Sequence, residues 1–168
     1  MAESTSVKCK RDGLITISDF GGVHTYIVAV EAGDFSYDVP DYTTNLFLDR
    51  GVIGATPQVR PGDEQPMSLG FSAWQRDLGD TANGYATLLD ILHRYTARYV
   101  AANWVSTLGA AHDVFAVNVA FTVDGTYAGE ADKTVTFAHV VLRGGMKEGD
   151  SNVIDAKGTS YAVRPTLS

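Results

Sequence analysis

A single cysteine, Cys9, stands among 168 residues. It has no partner within the chain, so a disulfide framework and a cysteine-based zinc cluster are both excluded. Cys9 reads as a half-buried thiol. Positive charge is the second scarcity. Thirteen Lys and Arg face twenty Asp and Glu, for a formal net charge of −7. A protein that wraps nucleic acid or adheres to anionic lipid needs basic patches, and this balance disfavours both. Long apolar runs are missing as well. The longest, such as 114–117, are far too short to cross a bilayer, and the polar stretch 1–11 has no apolar core of signal-peptide length. The expectation is a chain made and folded in a reducing cytoplasm, with no membrane partner.

Recognisable enzyme chemistry is the fourth absence. The sequence contains no phosphate-cradling GxxxxGK[ST], no GxGxxG after a strand and no GxSxG elbow. His24, His93, His112 and His139 are scattered singly, without HExxH. His112-Asp113 reads as a turn into a strand rather than as two metal ligands. The acidic pairs Asp63-Glu64, Glu130 with Asp132 and Glu148 with Asp150 lie in glycine-rich turns, where acids are commonly just solvated. A carboxylate-pair hydrolase is therefore the weakest of the readings. The expectation is no enzyme, no cofactor and no metal.

What is present is an ordinary globular composition, 45% hydrophobic and 20% charged. A chain of this length buries roughly 70% of its unfolded surface in one domain. Its pattern is β-rich. Residues 14–18 and 26–31 are β-branched runs separated by Gly21-Gly22, which suits a hairpin. Residues 34–39 alternate, with Phe35, Tyr37 and Val39 on one face and Asp34, Ser36 and Asp38 on the other. Met67, Leu69, Phe71 and Ala73 share a face. In 114–124, Phe115, Val117, Val119, Phe121 and Val123 share one face, and Ala116, Asn118, Ala120 and Thr122 the other. A further strand over 134–142 is ended by Gly144-Gly145, and a last short one covers 159–163. One helix stands apart, carrying Tyr85, Leu88, Leu89, Leu92, Tyr95 and Tyr99 at three- and four-residue steps. Thr81 or Asn83 caps it, and Asp90 and Arg94 are spaced for i,i+4 support. The predicted fold class is mainly β with one α-helix, a sandwich or barrel with the helix packed on it.

The segment 41–66 resists this scheme. Its second half is marked by turn residues (Pro57, Pro61, Gly62, Asp63, Pro66), but its first half carries Leu46, Phe47, Leu48, Val52 and Ile53. Loops of this length are usually functional or disordered, and a disordered one has little reason to hold five large apolar side chains. Exposed, they need a partner to cover them. Asp49-Arg50-Gly51 within it reads equally as a tight turn closed by a local salt bridge or as a registration point between subunits.

Several segments, read in order, resemble the tail tube proteins (major tail proteins) of long, flexible-tailed bacteriophages. Residues 11–17 (RDGLITI) are similar to that family's opening strand, and 31–37 (EAGDFSY) to its EGD-F/L-S-F segment. Phe47-Leu48-Asp49-Arg50-Gly51 resembles its LDRG motif, and 63–72 (DEQPMSLGFS) the strand that follows. Near the C-terminus, 137–140 (FAHV) resembles an F-P-K-V-like core, with His139 where a lysine is common. The run from Glu148-Gly149-Asp150 to Gly158-Thr159-Ser160-Tyr161 resembles the closing EGD…GTSY. Residues 97–112 match nothing in the family.

The resemblance implies a virion protein without an active site, a single tail tube domain over 1–168. Copies form hexameric rings stacked into a hollow tube, each giving strands to a continuous inner β-barrel. The implied partners are further copies of the chain, other tail proteins at the tube ends, a tape measure protein in the lumen, and double-stranded DNA passing without specific binding. The segment 41–66 then reaches a neighbour, with Leu46, Phe47, Leu48, Asp49, Arg50, Gly51, Val52 and Ile53 at the subunit interface. Arms at 1–10 and 164–168 are expected to order only on assembly. An acidic or neutral lumen repels phosphates, which makes Asp34, Ser36 and Asp38 the first choice for lining it. Asn118 and Thr122 are the second. The competing reading is a monomeric β-sandwich module that binds a carbohydrate or a receptor, with Trp74 and Trp104 as the only tryptophans it can offer.

Overall fold

The computed structural model describes residues 13–28, 35–47, 58–75, 87–93, 104–109, 112–125, 129–149, 152–162 and 164–168. Strands dominate it, and every strand pair is antiparallel. The strands are β1 (Gly13–Ser18), β2 (Thr25–Val28), β3 (Ser36–Asp38), β4 (Thr44–Phe47), β5 (Gln58–Pro61), β6 (Met67–Trp74), β7 (Val117–Val123), β8 (Lys133–Lys147), β9 (Val153–Ser160) and β10 (Thr166–Leu167). One sheet runs β2-β1-β7-β8-β9-β6-β3, with β10 also on β8, and β4-β5 form a separate two-stranded sheet.

Period-two patterning explains the core. In β6 the buried Met67, Leu69, Phe71 and Ala73 alternate with more exposed neighbours. Ile15 and Ile17 of β1 meet Val119 and Phe121 of β7 by register, and Val119 lies opposite Phe137 of β8. These side chains join Leu142, Ile154 and Ala156 in one cluster. The sheet must therefore fold over itself, because β3 is far from β7 in strand order yet its neighbouring rings touch. Phe35 stacks on Phe121 with centroids 4.6 Å apart, and Tyr37 meets Phe137 edge-on at 5.1 Å.

The fold-over is made inside β8. Val117 pairs with Val140 but Val119 pairs with Phe137, so Ala138-His139 carry one residue too many. Such a bulge bends its strand and sharpens the twist. His139 adopts φ 54°, a left-handed conformation that costs an L-residue on the order of 1–2 kcal/mol. The bulge is held from β9, where the Ser160 hydroxyl donates to the Ala138 carbonyl at 2.7 Å and the Tyr161 N–H to the His139 carbonyl. Asn at 139 tolerates this conformation, so His139→Asn should keep unfolding free energy within about 0.5 kcal/mol of wild type. A β-branched His139→Val should cost about 2 kcal/mol, read by urea denaturation.

Several expectations need correction. Gly144-Gly145 does not end the strand; β8 continues to Lys147. The last long strand is Val153–Ser160 rather than 159–163. The segment 164–168, expected to order only on assembly, pairs with β8 in the single chain: Thr166 opposes Thr136, and Ser168 exchanges both backbone hydrogen bonds with Thr134. Helix α1 is described over Leu88–Leu92, with Leu88, Ile91 and Leu92 buried. Its N-cap is Thr87, in a capping box with Asp90. Asp90 thus caps the helix. The predicted caps Thr81 and Asn83, and Arg94, lie outside the described residues.

A buried carboxylate ties the β1–β2 turn to the rest of the molecule. Asp19 is 1% exposed and accepts from the His24 N–H at 2.9 Å, the His24 ring Nδ1 at 2.8 Å and the Val105 N–H at 3.4 Å. An ionised carboxylate only accepts, so Nδ1 carries the proton. Burial alone would raise the Asp19 pKa, but these donors outweigh it and hold the group below the ordinary aspartate value. A depressed folded pKa gives stability that is complete above the unfolded value, near pH 4, and is lost as pH falls through the lower folded value. Asp19→Asn should remove that part of the acid sensitivity, measured as the change in thermal midpoint between pH 6 and pH 3.

Candidate assembly surface

The segment that resisted the sequence scheme contains a hairpin of its own. β4 and β5 pair from Thr44↔Pro61 to Phe47↔Gln58, and no other described strand joins them. At its root the Gly62 N–H donates to the Thr43 carbonyl, and the Thr43 N–H to Asp63 at 3.3 Å. A Cβ on Gly62 would collide with Thr43, so this turn requires glycine. Residues 41–46, 60 and 61 are all exposed, Leu46 at 59%. An isolated two-stranded hairpin is marginal in water, and an exposed leucine on it makes no contribution to the monomer's core. Phe47 is placed in β4. Leu48, Asp49, Arg50, Gly51, Val52 and Ile53 lie outside the described residues.

Beside the hairpin root is an open cleft of about 420 Å³, lined in part by Tyr37, Val39, Tyr42, Glu64, Arg164 and Leu167. Four of these are large apolar or aromatic side chains that are at least two-fifths exposed. Together with Leu46 they give the hairpin side of the molecule a concentration of uncovered apolar surface.

The bulge in β8 divides the large sheet into two walls around the common core. The first wall is β3-β6-β9 with the distal half of β8. By register its outward rows are Asp38, Ser68, Thr159 and Val141, then Ser36, Gly70, Lys157 and Arg143, then Ser72, Asp155 and Gly145, then Trp74, Val153 and Lys147. The second wall is β2-β1-β7, the proximal half of β8, and β10. Its outward residues are Thr25 and Ile27, Leu14, Thr16 and Ser18, Asn118, Ala120 and Thr122, Thr134 and Thr136, and Thr166. It is free of charge, and the Thr122 and Thr134 hydroxyls share a hydrogen bond of 2.9 Å across it.

The sequence-predicted lumen residues therefore separate. Ser36 and Asp38 are exposed on the first wall, whereas Asn118 and Thr122 belong to the second. They face away from the core on different walls, so one channel cannot be lined by both sets. Asp34 lies outside the described residues. Among the described residues the first wall also has two open edges. No described strand pairs with the outer edge of β3, nor with the outer edge of β8 beyond Val140. Sequence reasoning missed the second edge by ending the strand at Gly144-Gly145. The alternation of Ile154, Ala156 and Gly158 with Asp155, Lys157 and Thr159 was the available signal for β9.

Trp104 is 7% exposed and stacks on His24 at 6.1 Å, so it offers no sugar-stacking face. Trp74 is 45% exposed at the end of β6. Among the described residues no three His, Cys, Asp or Glu side chains gather as a metal site, and no helix is long and apolar enough to cross a membrane.

No protein-family model matches this chain, and no curated protein matches it. Solved structures do match. A chain of the PVC sheath–tube complex of an extracellular contractile injection system, in the extended state, aligns with TM-score 0.55 at 11% identity, over 92% of this chain and 87% of that one. A chain of the PVC sheath/tube terminator aligns with TM-score 0.54 at 10% identity, over 92% of each. A chain of the 6-fold symmetrised anti-feeding prophage baseplate aligns with TM-score 0.54 at 11% identity, over 100% of this chain and 97% of that one. The shared property is the fold, across nearly the whole of each chain. The narrower likeness to flexible-tailed bacteriophages rests on the sequence motifs.

Proposed function

We propose that this chain is a structural, non-enzymatic subunit that assembles with copies of itself into the hollow tube of a phage tail or a phage-tail-like particle. The observation that carries the reading is the whole-chain likeness in fold to chains of contractile injection system assemblies. The two open edges of the first wall give assembly a physical route. Unpaired strand edges are a liability that closure removes. In the order β3-β6-β9-β8 the strands alternate in direction, and their number is even. A β3 edge that meets the free half of β8 on the next copy therefore meets it antiparallel, and the alternation continues unbroken around a ring. Six copies, the number implied by the motif resemblance, would close a barrel of about 24 strands.

In this arrangement the first wall lines the passage, with Ser36 and Asp38 facing it, and Asn118 and Thr122 sit on the outer side. The hairpin β4–β5 reaches an adjacent copy, where Leu46 through Ile53 are covered. The cleft beside Tyr37 and Leu167 is the surface available to receive it. Double-stranded DNA is the cargo implied by the motif resemblance, with tail proteins at the tube ends and a tape measure protein in the lumen before ejection.

Sedimentation of the purified protein across a hundredfold range of concentration tests the reading. The expected result is growth into large particles with concentration. Replacing residues 44–61 with a short Gly-Ser linker should leave a folded chain that sediments as a monomer. A wild-type protein that stays monomeric throughout, under all salt conditions, would overturn it.

A further inference from the structure

The first wall holds two cations where a β-sheet disfavours them. The register sets Arg143 of β8 directly opposite Lys157 of β9. Like charges in that position repel, and neither makes an ion pair among the described residues. Lys147 lies on the same face four residues further along β8, about 13 Å away at the strand rise. Gly70 lies beside Lys157, Gly145 between Arg143 and Lys147, and Ser72 and Thr159 nearby, whereas Val153 and the exposed Trp74 share the row of Lys147. A Cβ on Gly145 would meet nothing within 4 Å. All three cations are exposed. One acid stands among them, Asp155, and one of its oxygens takes the Ser72 hydroxyl at 2.8 Å. Glu148, past the end of β8, is exposed.

We propose that Arg143, Lys157 and Lys147 form a contact row for the phosphodiester backbone of a nucleic-acid duplex. A polyanion supplies the countercharge that the Arg143–Lys157 pair lacks. The row is open and linear, with no enclosing pocket and no loop of converging N–H groups, which fits a repeating backbone rather than a discrete phosphate. Within a net charge of −7, three cations give weak contact that salt screens, suited to centring a sliding polymer rather than holding it. This deepens the tube reading by assigning an attractive element to a wall that composition alone would make uniformly repulsive. The site itself is a property of the single chain.

Fluorescence anisotropy of a labelled 16-base-pair DNA duplex, titrated with full-length protein, tests it. Three phosphate contacts predict a log–log salt slope of about −2.7, or a roughly 40-fold loss of affinity between 50 and 200 mM salt. Lys157→Gln should reduce the slope to about −1.8, Arg143→Gln with Lys157→Gln should abolish binding, and Lys133→Gln should change neither. Wild-type protein without measurable binding at 50 mM salt, or a double variant that binds as wild type does, would overturn the row. Saturable binding of inorganic phosphate alone would overturn the backbone reading. Thermal unfolding confirms that each variant is folded, and removal of one like charge should raise its midpoint slightly. Tubes that form but bind no duplex count against this site alone. A monomer that binds duplex but never assembles counts against the tube alone.

Discussion

Leu46→Asp should abolish tube formation while leaving the protomer's thermal midpoint within about 1 °C of wild type. The reason is where the side chain sits. Leu46 is 59% exposed on a hairpin that pairs with no other described strand. A carboxylate there remains solvated in the monomer, and surface changes of this kind usually stay within ±0.5 kcal/mol. Covered by a neighbour, the same carboxylate must be desolvated without a partner, which costs several kcal/mol per copy. A ring repeats that penalty at every subunit, so assembly is lost rather than weakened. Phe47→Asp, one residue on in the LDRG-like motif, should likewise abolish tube formation. Negative-stain images with a melting curve give both readouts, and normal tubes from both variants would remove the hairpin from the interface.

Gly144→Ala should destabilise the protomer by roughly 1–3 kcal/mol, whereas its neighbour Gly145→Ala should be nearly neutral. The two glycines look alike in sequence and differ completely in surroundings. A Cβ on Gly144 would collide with the backbone carbonyl of Asp155 on β9, while one on Gly145 enters open space. Backbone cannot yield as the tip of a flexible side chain can, so Gly144→Ala must push β8 from β9. That pairing builds the first wall, and its loss should also prevent ring closure. Urea denaturation of the two variants side by side checks the difference, and equal stability would contradict the described β8–β9 register.

These glycines also mark the limit of what was legible beforehand. Alternation revealed β6 and β7, because each buries one face and wets the other, and β-branched richness revealed β1. The Gly21-Gly22 turn was legible as a glycine pair between two such runs; both residues have positive φ, which suits glycine. The awkward composition of 41–66 marked it as a long loop with apolar residues in need of cover, but the pairing of β4 with β5 inside it was not legible. Gly144-Gly145 misled because two glycines read as a stop, and only the partner strand shows that one of them permits close approach. The separation of Ser36 and Asp38 from Asn118 and Thr122 was hidden as well. Each strand showed which of its faces was polar, but the wall each joined depended on the bulge at His139. Asp19 carried no signal in the sequence, because one of its donors, Val105, is far away along the chain.

The central claim is that copies of this chain close into a hollow tube through the edges of the first wall. Electron microscopy of concentrated protein, with the particle images averaged, tests it most directly. The account predicts tubes or rings on the order of 100 Å across, with a central channel and a wall of four continuous antiparallel strands per copy. β3 of one copy should lie against residues 142–147 of the next. Monodisperse single chains at every concentration, or an assembly whose channel is lined by the threonine-rich second wall, would contradict it.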